Sequence, residues 1–226
     1  MKKRAFALAL LLAAILLCAF TESDDFFRYE LREDGAAVIV GYTGYDSRVT
    51  IPKEVDGHPI REIGTSACYG NRYLRKLIIE AELDRIDKDA FGYCPYLKSV
   101  TIESCPEIGE SAFEGCALLT ELVLPENLSN IDDFAFKSCL RLGTVDIPAS
   151  LARIGYESFL GCDRMVLVTG DSPVAAEYAA ANGIDTDFGE SNASMWLKIG
   201  VLTVALLFLL LFAWFILRKF RRKQEK

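Results

Sequence analysis

The sequence contains a single histidine, His58, and none of its seven cysteines stands in a C-x-x-C spacing. Zinc sites are usually built from such cysteine pairs together with histidines, and cysteine nucleophiles are usually activated by a histidine base. The G-x-S-x-G and H-E-x-x-H motifs and glycine-rich phosphate loops are also missing. The acidic residues are scattered, as on a solvated surface. We therefore expect no enzyme activity, no metal and no cofactor.

Charged residues are also missing from two long segments. Residues 1–20 have a basic start and then the apolar run AFALALLLAAILLCAF, which predicts a secretory signal peptide; an uncleaved signal anchor is the alternative. Leu17 precedes Cys18, where lipid attachment needs a small residue. Near the other end, residues 196–217 include 19 consecutive uncharged residues, enough to span a bilayer core of about 30 Å.

The predicted span is followed by the basic tail RKFRRKQEK, residues 218–226. By the positive-inside rule, this tail lies in the cytoplasm and the rest of the chain outside the cell. We thus expect a single-pass cell-membrane protein. The tail is either a topology signal or a site that recruits anionic lipid or a cytoplasmic partner.

The segment between these ends is strongly acidic. The formal charge of the chain is −7; residues 1–20 carry +3, Lys198 carries +1 and the tail carries +5, which leaves −16 for residues 21–197. Because nucleic-acid binding relies on basic surfaces, this balance argues against nucleic-acid partners.

The central part of the chain repeats every 22 or 23 residues. Each copy begins at an isoleucine, and the copies start at Ile63, Ile86, Ile108, Ile131 and Ile154. A fixed period of this length is typical of a solenoid, in which each unit buries its apolar face against its neighbours.

Each position of the repeat has its own chemistry. An alternating apolar pair in each copy, such as Val100 and Ile102, predicts a short strand with one buried face. The segment from isoleucine to cysteine has helical or tight-turn spacing, so we expect one strand and one turn or short helix per unit. The aromatic column is Phe91, Phe113, Phe136 and Phe159, and the cysteine column is Cys94, Cys116, Cys139 and Cys162.

The pattern C-x-x-L-x-x-[VL]-x-[IL], preceded by I-[GD]-x-x-[AS]-F, resembles the BspA-type leucine-rich repeat of bacterial surface proteins. The resemblance covers residues 49–170, with Cys68 and Asn71 departing from it in the first full unit. It implies an α/β solenoid, a right-handed superhelix with short parallel strands, on a bacterial cell surface. The resemblance to this family also implies a function in adhesion.

The segments beside the repeats are expected to close the solenoid. Asp34-Gly35 between apolar runs predicts a hairpin within an N-terminal β cap, residues 21–48. Residues 171–188 predict a helix that caps the last coil, with Ser172 as N-cap, Pro173 in the first turn and Gly183 at the end. Residues 189–195 form a short linker to the membrane.

The cysteine column allows two interpretations. Disulfides are common in exported proteins, but in-register side chains point the same way and seldom reach disulfide geometry. Buried cysteines also pack as small hydrophobes. We favour buried free thiols.

Two groups of residues are candidates for ligand binding. The outward strand residues form the rows Lys76, Ser99, Glu121, Thr144 and Ile78, Thr101, Val123, Asp146. The second group is Tyr69, Tyr73, Tyr93 and Tyr96. The rows could simply reflect β-propensity, and the tyrosines could shield the coil ends. We expect a membrane-anchored extracellular module that binds a protein or a glycan, or alternatively an accessory subunit that pairs through its span and tail.

Overall fold

The computed structural model describes residues 26–170 and 172–187, which form a parallel-strand β-solenoid of about seven turns. One α-helix, α1 (Pro173–Asn182), follows the repeats. The strands are β1 (Phe27–Leu31), β2 (Ala37–Tyr42), β3 (Arg48–Ile51), β4 (Glu54–Val55), β5 (His58–Ile63), β6 (Lys76–Glu82), β7 (Arg85–Ile86), β8 (Ser99–Ser104), β9 (Glu107–Ile108), β10 (Glu121–Val123), β11 (Asn130–Ile131), β12 (Thr144–Asp146), β13 (Arg153–Ile154), β14 (Val166–Val168) and β15 (Asp185–Asp187).

Each coil contributes to two ladders of strands. The first sheet has the order β1-β2-β5-β7-β9-β11-β13, and the repeat isoleucines pair with one another along it, from Ile63 to Ile154. The longer strands form the orders β10-β8-β6-β3 and β12-β14-β15. The sequence predicted one strand per unit. It missed the two-residue strands because so short a segment carries no alternation of its own.

The segment between the two strands of a coil is a tight turn, not a helix, in every repeat of the described chain. Backbone N–H groups of this turn donate to the next coil, for example Cys68 to Ala90 and Phe91 to Ala112. Of the two alternatives, turn or short helix, the repeats have the turn. The α/β class is wrong for them, because the bonds between coils alternate with i→i−3 bonds such as Gly92 to Asp89, and no continuous helical series forms. Two columns of each turn have positive φ: Ser66, Asp89, Ser111, Phe134 and Glu157, then Gly70, Tyr93, Gly115, Ser138 and Gly161.

The aromatic column is the centre of the core. Phe91, Phe113 and Phe136 are fully buried and Phe159 is nearly so. Successive ring centroids lie 5.2, 5.3 and 5.2 Å apart, with interplanar angles of 9°, 1° and 6°. The coil spacing of about 4.8 Å thus stacks the rings with a small offset, which is a favourable arrangement for aromatic pairs.

The predicted N-terminal hairpin is confirmed. Strands β1 and β2 are antiparallel, with Leu31 opposite Ala37, and Gly35 in the turn has φ 81°. Strand β2 then pairs in parallel with β5, so the hairpin covers the edge of the first sheet. It does not cover β3, the end strand of the second sheet.

The predicted helix is present with the expected end signals. The Ser172 side chain accepts a hydrogen bond from the Ala175 N–H, and Gly183 ends the helix in the left-handed conformation. Strand β15 follows and pairs with β14, so a further strand lies beyond the last repeat. Within residues 26–170 and 172–187, no helix has the length and apolarity needed to cross a membrane. The predicted signal peptide, linker, span and tail lie outside the described residues.

Neighbouring coils approach closely at several glycines of the repeat, and Gly109 is one of them. A Cβ on Gly109 would lie 2.8 Å from the Ile86 carbonyl oxygen and 3.0 Å from the Asp87 carbonyl carbon, whereas a Cβ on Gly143 would meet only the Thr120 carbonyl oxygen, at 3.4 Å. We expect Gly109→Ala to lower the free energy of unfolding by about 1–3 kcal/mol, as overpacking does. Gly143→Ala is the matched control and should change it by less than about 0.5 kcal/mol. Urea denaturation measures both, and equal losses would contradict the close approach.

Candidate ligand-binding surface

The two predicted rows lie on the outer face of the longer strands. Lys76 is opposite Ser99, which is opposite Glu121, and Ile78, Thr101 and Val123 are paired in the same way. Arg48 and Thr50 on β3 extend the rows at the N-terminal end. Thr144 and Asp146 lie on β12, which begins the third sheet, so they are not paired with β10.

Exposure differs along these rows. Lys76, Ile78 and Thr101 are half-buried between their neighbours, whereas Glu121 and Asp146 are exposed. Val123 is 55% exposed, so it is the apolar residue of the rows that is most accessible to a ligand. The rows become acidic toward the C-terminal coils, where Asp185 continues the first row.

Two of the four candidate tyrosines, Tyr73 and Tyr96, belong to a column whose third member, Tyr45, was not predicted. Tyr45, Tyr73 and Tyr96 each stand three residues before the first residue of β3, β6 and β8, and we call them the tyrosine column. They are 74%, 50% and 45% exposed. The rings of Tyr45 and Tyr73 meet edge to face at 4.9 Å, and the Arg75 guanidinium lies over the Tyr96 ring at 5.5 Å. The fixed spacing before each strand was the signal that could have included Tyr45.

The other two tyrosines form a separate pair on the turns. Tyr69 and Tyr93 have ring centroids 5.5 Å apart, and the Tyr93 hydroxyl donates to Glu114 Oε1 at 3.0 Å. This hydrogen bond raises the pKa of Tyr93. Tyr93 has a φ of 54°, and the equivalent positions of the two neighbouring coils are the glycines Gly70 and Gly115. A bulky residue in this conformation costs about 1–2 kcal/mol, a strain that often accompanies function.

A depression of ≈320 Å³ lies beside the tyrosine column. It lies where the first full coil departs from the repeat, with Cys68 in place of a phenylalanine and Asn71 in place of a cysteine. The Asn71 side-chain oxygen accepts hydrogen bonds from the Tyr73 and Leu74 backbone N–H groups. The lining residues are Tyr42, Thr43, Gly44, Tyr45, Ala67, Cys68, Tyr69, Gly70, Asn71, Arg72 and Tyr73.

The cysteines belong to the core and not to this surface. The six cysteines of the described residues are buried and free, as predicted for a core column. Four thiols donate to backbone carbonyls of the preceding coil, for example Cys116 to Phe91 at 3.3 Å. Burial raises the pKa of Cys68, and it raises the pKa of Cys105 to about 12.

The remaining residues considered for chemistry have structural partners. The Nδ1 atom of His58 lies 3.0 Å from the Gly35 carbonyl oxygen, so the histidine joins β5 to the N-terminal hairpin. Among residues 26–170 and 172–187, no three His, Cys, Asp or Glu side chains lie close enough to hold a metal ion.

Parallel ladders with identical core columns every 22 or 23 residues define a solenoid of the leucine-rich-repeat class. The chain belongs to the BspA type leucine-rich repeat family, whose model matches residues 47–170 in six copies. The matched range begins just before β3, in the coil that precedes the five recognised from the isoleucines.

Several solved structures are similar to the chain. A leucine-rich cell surface protein from Faecalibacterium prausnitzii is 24% identical, with TM-score 0.38, and the match covers 65% of this chain and 53% of that protein. A leucine-rich repeat protein from T. pallidum is 25% identical, with TM-score 0.42 and coverage of 64% and 69%. One from Bacteroides capillosus is 23% identical, with TM-score 0.38 and coverage of 63% and 94%. The chain thus spans about half the length of the Faecalibacterium protein. No curated protein sequence matches the chain.

Proposed function

We propose that the protein is a membrane-anchored extracellular recognition module that binds a protein or a glycan through the first coils of its solenoid. The observation that carries this proposal is the tyrosine column, three exposed rings at equivalent positions of successive coils. Tyrosine is enriched at the centres of binding interfaces, and surface proteins with leucine-rich repeats generally act as recognition or binding modules. In this proposal the solenoid is carried outside the cell by the segment 196–217.

The proposal includes no catalysis. The thiols are buried, and His58 is engaged by the N-terminal hairpin. We also assign α1 the task of closing the last coil. Its Ala175 and Ala179 are fully buried, and the Tyr178 ring lies edge-on to Phe159 at 6.1 Å.

The triple variant Tyr45→Ala, Tyr73→Ala, Tyr96→Ala tests the proposed function. The full-length chain, purified in detergent and immobilised, is incubated with arrays of extracellular matrix proteins and of purified glycans. We expect specific retention of at least one component, and an affinity about tenfold lower for the triple variant, because each ring contributes contact area at little entropic cost. Surface plasmon resonance measures the affinity.

Two controls make the result specific. Tyr156→Ala removes a ring that is 66% exposed but lies in another coil, and it should leave the affinity unchanged. Replacing residues 196–226 with an unrelated anchor should also leave it unchanged. Loss of retention after that replacement would favour the accessory-subunit function. If the triple variant is retained as strongly as the unaltered protein, the tyrosine column is not part of the binding surface.

A further inference from the structure

Five cationic side chains surround the tyrosine column. Arg48 and Lys76 are opposite each other on β3 and β6. Arg75 and Lys98 occupy one position in successive coils, where the Lys98 N–H donates to the Arg75 carbonyl oxygen. Arg72 lines the depression. Lys76 is half-buried, and the other four are exposed.

None of these five cations forms an ion pair with a described carboxylate. Six other Lys and Arg residues of the described chain do, namely Arg32, Arg61, Arg85, Lys88, Lys137 and Arg153. The first coils therefore present unneutralised positive charge in a domain whose net charge is strongly negative. A polyanion would be attracted to this end of the solenoid and repelled by the acidic C-terminal coils. The two effects together determine where on the solenoid the polyanion binds.

The aromatic groups beside these charges restrict the chemistry of the polyanion. Tyrosine rings offer apolar faces with a hydroxyl at the edge, which complements a sugar ring with C–H faces and hydroxyl groups. The backbones of β6 and β8 are already paired on both sides, so an acidic peptide could add to this sheet as a strand only at β3, its end strand. Along β6 and β8 only side chains are available to a ligand. These side chains repeat with the coil spacing of about 4.8 Å, as suits a linear polymer of similar units.

We propose that the first three coils bind an anionic polysaccharide. The rings of Tyr45, Tyr73 and Tyr96 stack on its sugar units, and the cations beside them pair with its carboxylate or sulfate groups. Arginine is suited to this pairing because its planar guanidinium can hold such groups with two hydrogen bonds. This inference rests on the proposed function and specifies its ligand.

Four immobilised probes separate the sources of binding: heparin as a sulfated polysaccharide, polygalacturonate as a carboxylated one, dextran as a neutral one and poly-L-glutamate as an acidic peptide. The full-length chain in detergent should be retained on heparin, polygalacturonate or both, and should be released by rising NaCl. It should pass over dextran and bind poly-L-glutamate at least about tenfold more weakly.

Two pairs of variants assign the surface. Arg75→Gln with Lys98→Gln, and separately Tyr73→Ala with Tyr96→Ala, should each weaken polysaccharide binding about tenfold. Arg141→Gln with Arg164→Gln is the matched charge control, since both arginines are exposed, form no ion pair with a described carboxylate and lie in later coils. It should leave binding unchanged, as should Tyr156→Ala. Circular dichroism of each variant verifies that it is folded.

Three outcomes would overturn the inference. The first is that the protein binds neither anionic polysaccharide. The second is that it binds poly-L-glutamate as strongly as the polysaccharides and that the tyrosine substitutions do not change this binding. The third is that the control substitutions Arg141→Gln and Arg164→Gln weaken polysaccharide binding as much as Arg75→Gln and Lys98→Gln do. The second would indicate an acidic protein partner. Retention of a component in the array experiment despite any of them would leave the proposed function standing.

Discussion

Phe113→Ala is expected to lower the free energy of unfolding by about 3–5 kcal/mol, at the upper end for removal of a buried aromatic side chain. The ring is fully buried and is stacked on both sides, at 5.2 Å on Phe91 and 5.3 Å on Phe136. Neighbouring rings cannot close the cavity because parallel ladders hold the coils at about 4.8 Å. The loss therefore includes both the transfer free energy and the cavity. Chemical denaturation followed by circular dichroism measures it.

The control is a phenylalanine at the end of the same column. Phe159 is stacked on one phenylalanine only, with the Tyr178 edge on its other side, so Phe159→Ala should cost less than Phe113→Ala. Phe113→Leu keeps most of the volume and should cost about 1–2 kcal/mol. Because each repeat of a solenoid contacts only its neighbours, a break in the middle separates two groups of coils. A loss below about 1 kcal/mol for Phe113→Ala would contradict the stacked core.

The core could be predicted from the sequence because a solenoid places equal side chains in contact. Once Ile86 and Ile108 are aligned by the period, their pairing across β7 and β9 follows. The aromatic and cysteine columns follow by the same argument, and both are buried. The coil of β3 follows from the alternation of Val49 and Ile51, which are both buried, and the family model counts six copies in all.

The turns could not be predicted in the same way. Asp89 and Tyr93 have positive φ, a conformation in which glycine is the expected residue. The sequence at these positions varies from coil to coil, since hydrogen bonds between turns fix the backbone whichever side chain is present. Glycine at Gly70, Gly115 and Gly161 was the available signal for one column. The other column, which contains Asp89, has no glycine at all.

The candidate surface was predicted in part for a related reason. Lys76 and Ile78 could be assigned to outward rows because alternation in a strand is unambiguous. Tyr45 was missed because the isoleucine of its coil, Ile39, lies 24 residues before its partner Ile63, outside the period of 22 or 23 residues. The unpaired state of Arg75 and Lys98 depends on which carboxylates lie across the coils, and this is a property of three-dimensional packing that spacing alone does not encode.

The second large effect is expected in the reactivity of the thiols. In the Cys18→Ala variant, the six remaining cysteines should react with a thiol reagent at pH 8 more than about a thousandfold more slowly in the native protein than in denaturant. Burial is one cause, since the reagent cannot reach a fully buried sulfur. For Cys105 the pKa is a second cause: at its value of about 12, only about one molecule in ten thousand carries the thiolate at this pH.

The dependence on pH and denaturant distinguishes these causes. Interaction with the neighbouring Cys94 thiol and burial raise the pKa of Cys116, so thiolate formation at Cys116 in the native state would require strongly alkaline solution. If reaction instead requires unfolding, the native rate follows the population of opened molecules and rises with urea. All six thiols should react in denaturant without prior reduction, because none is disulfide-bonded. Mass spectrometry of the alkylated peptides identifies each site. A cysteine that reacts rapidly in the native protein, or a mass that rises by two hydrogens on reduction, would contradict the buried thiol column and would favour the disulfides that an exported protein could form.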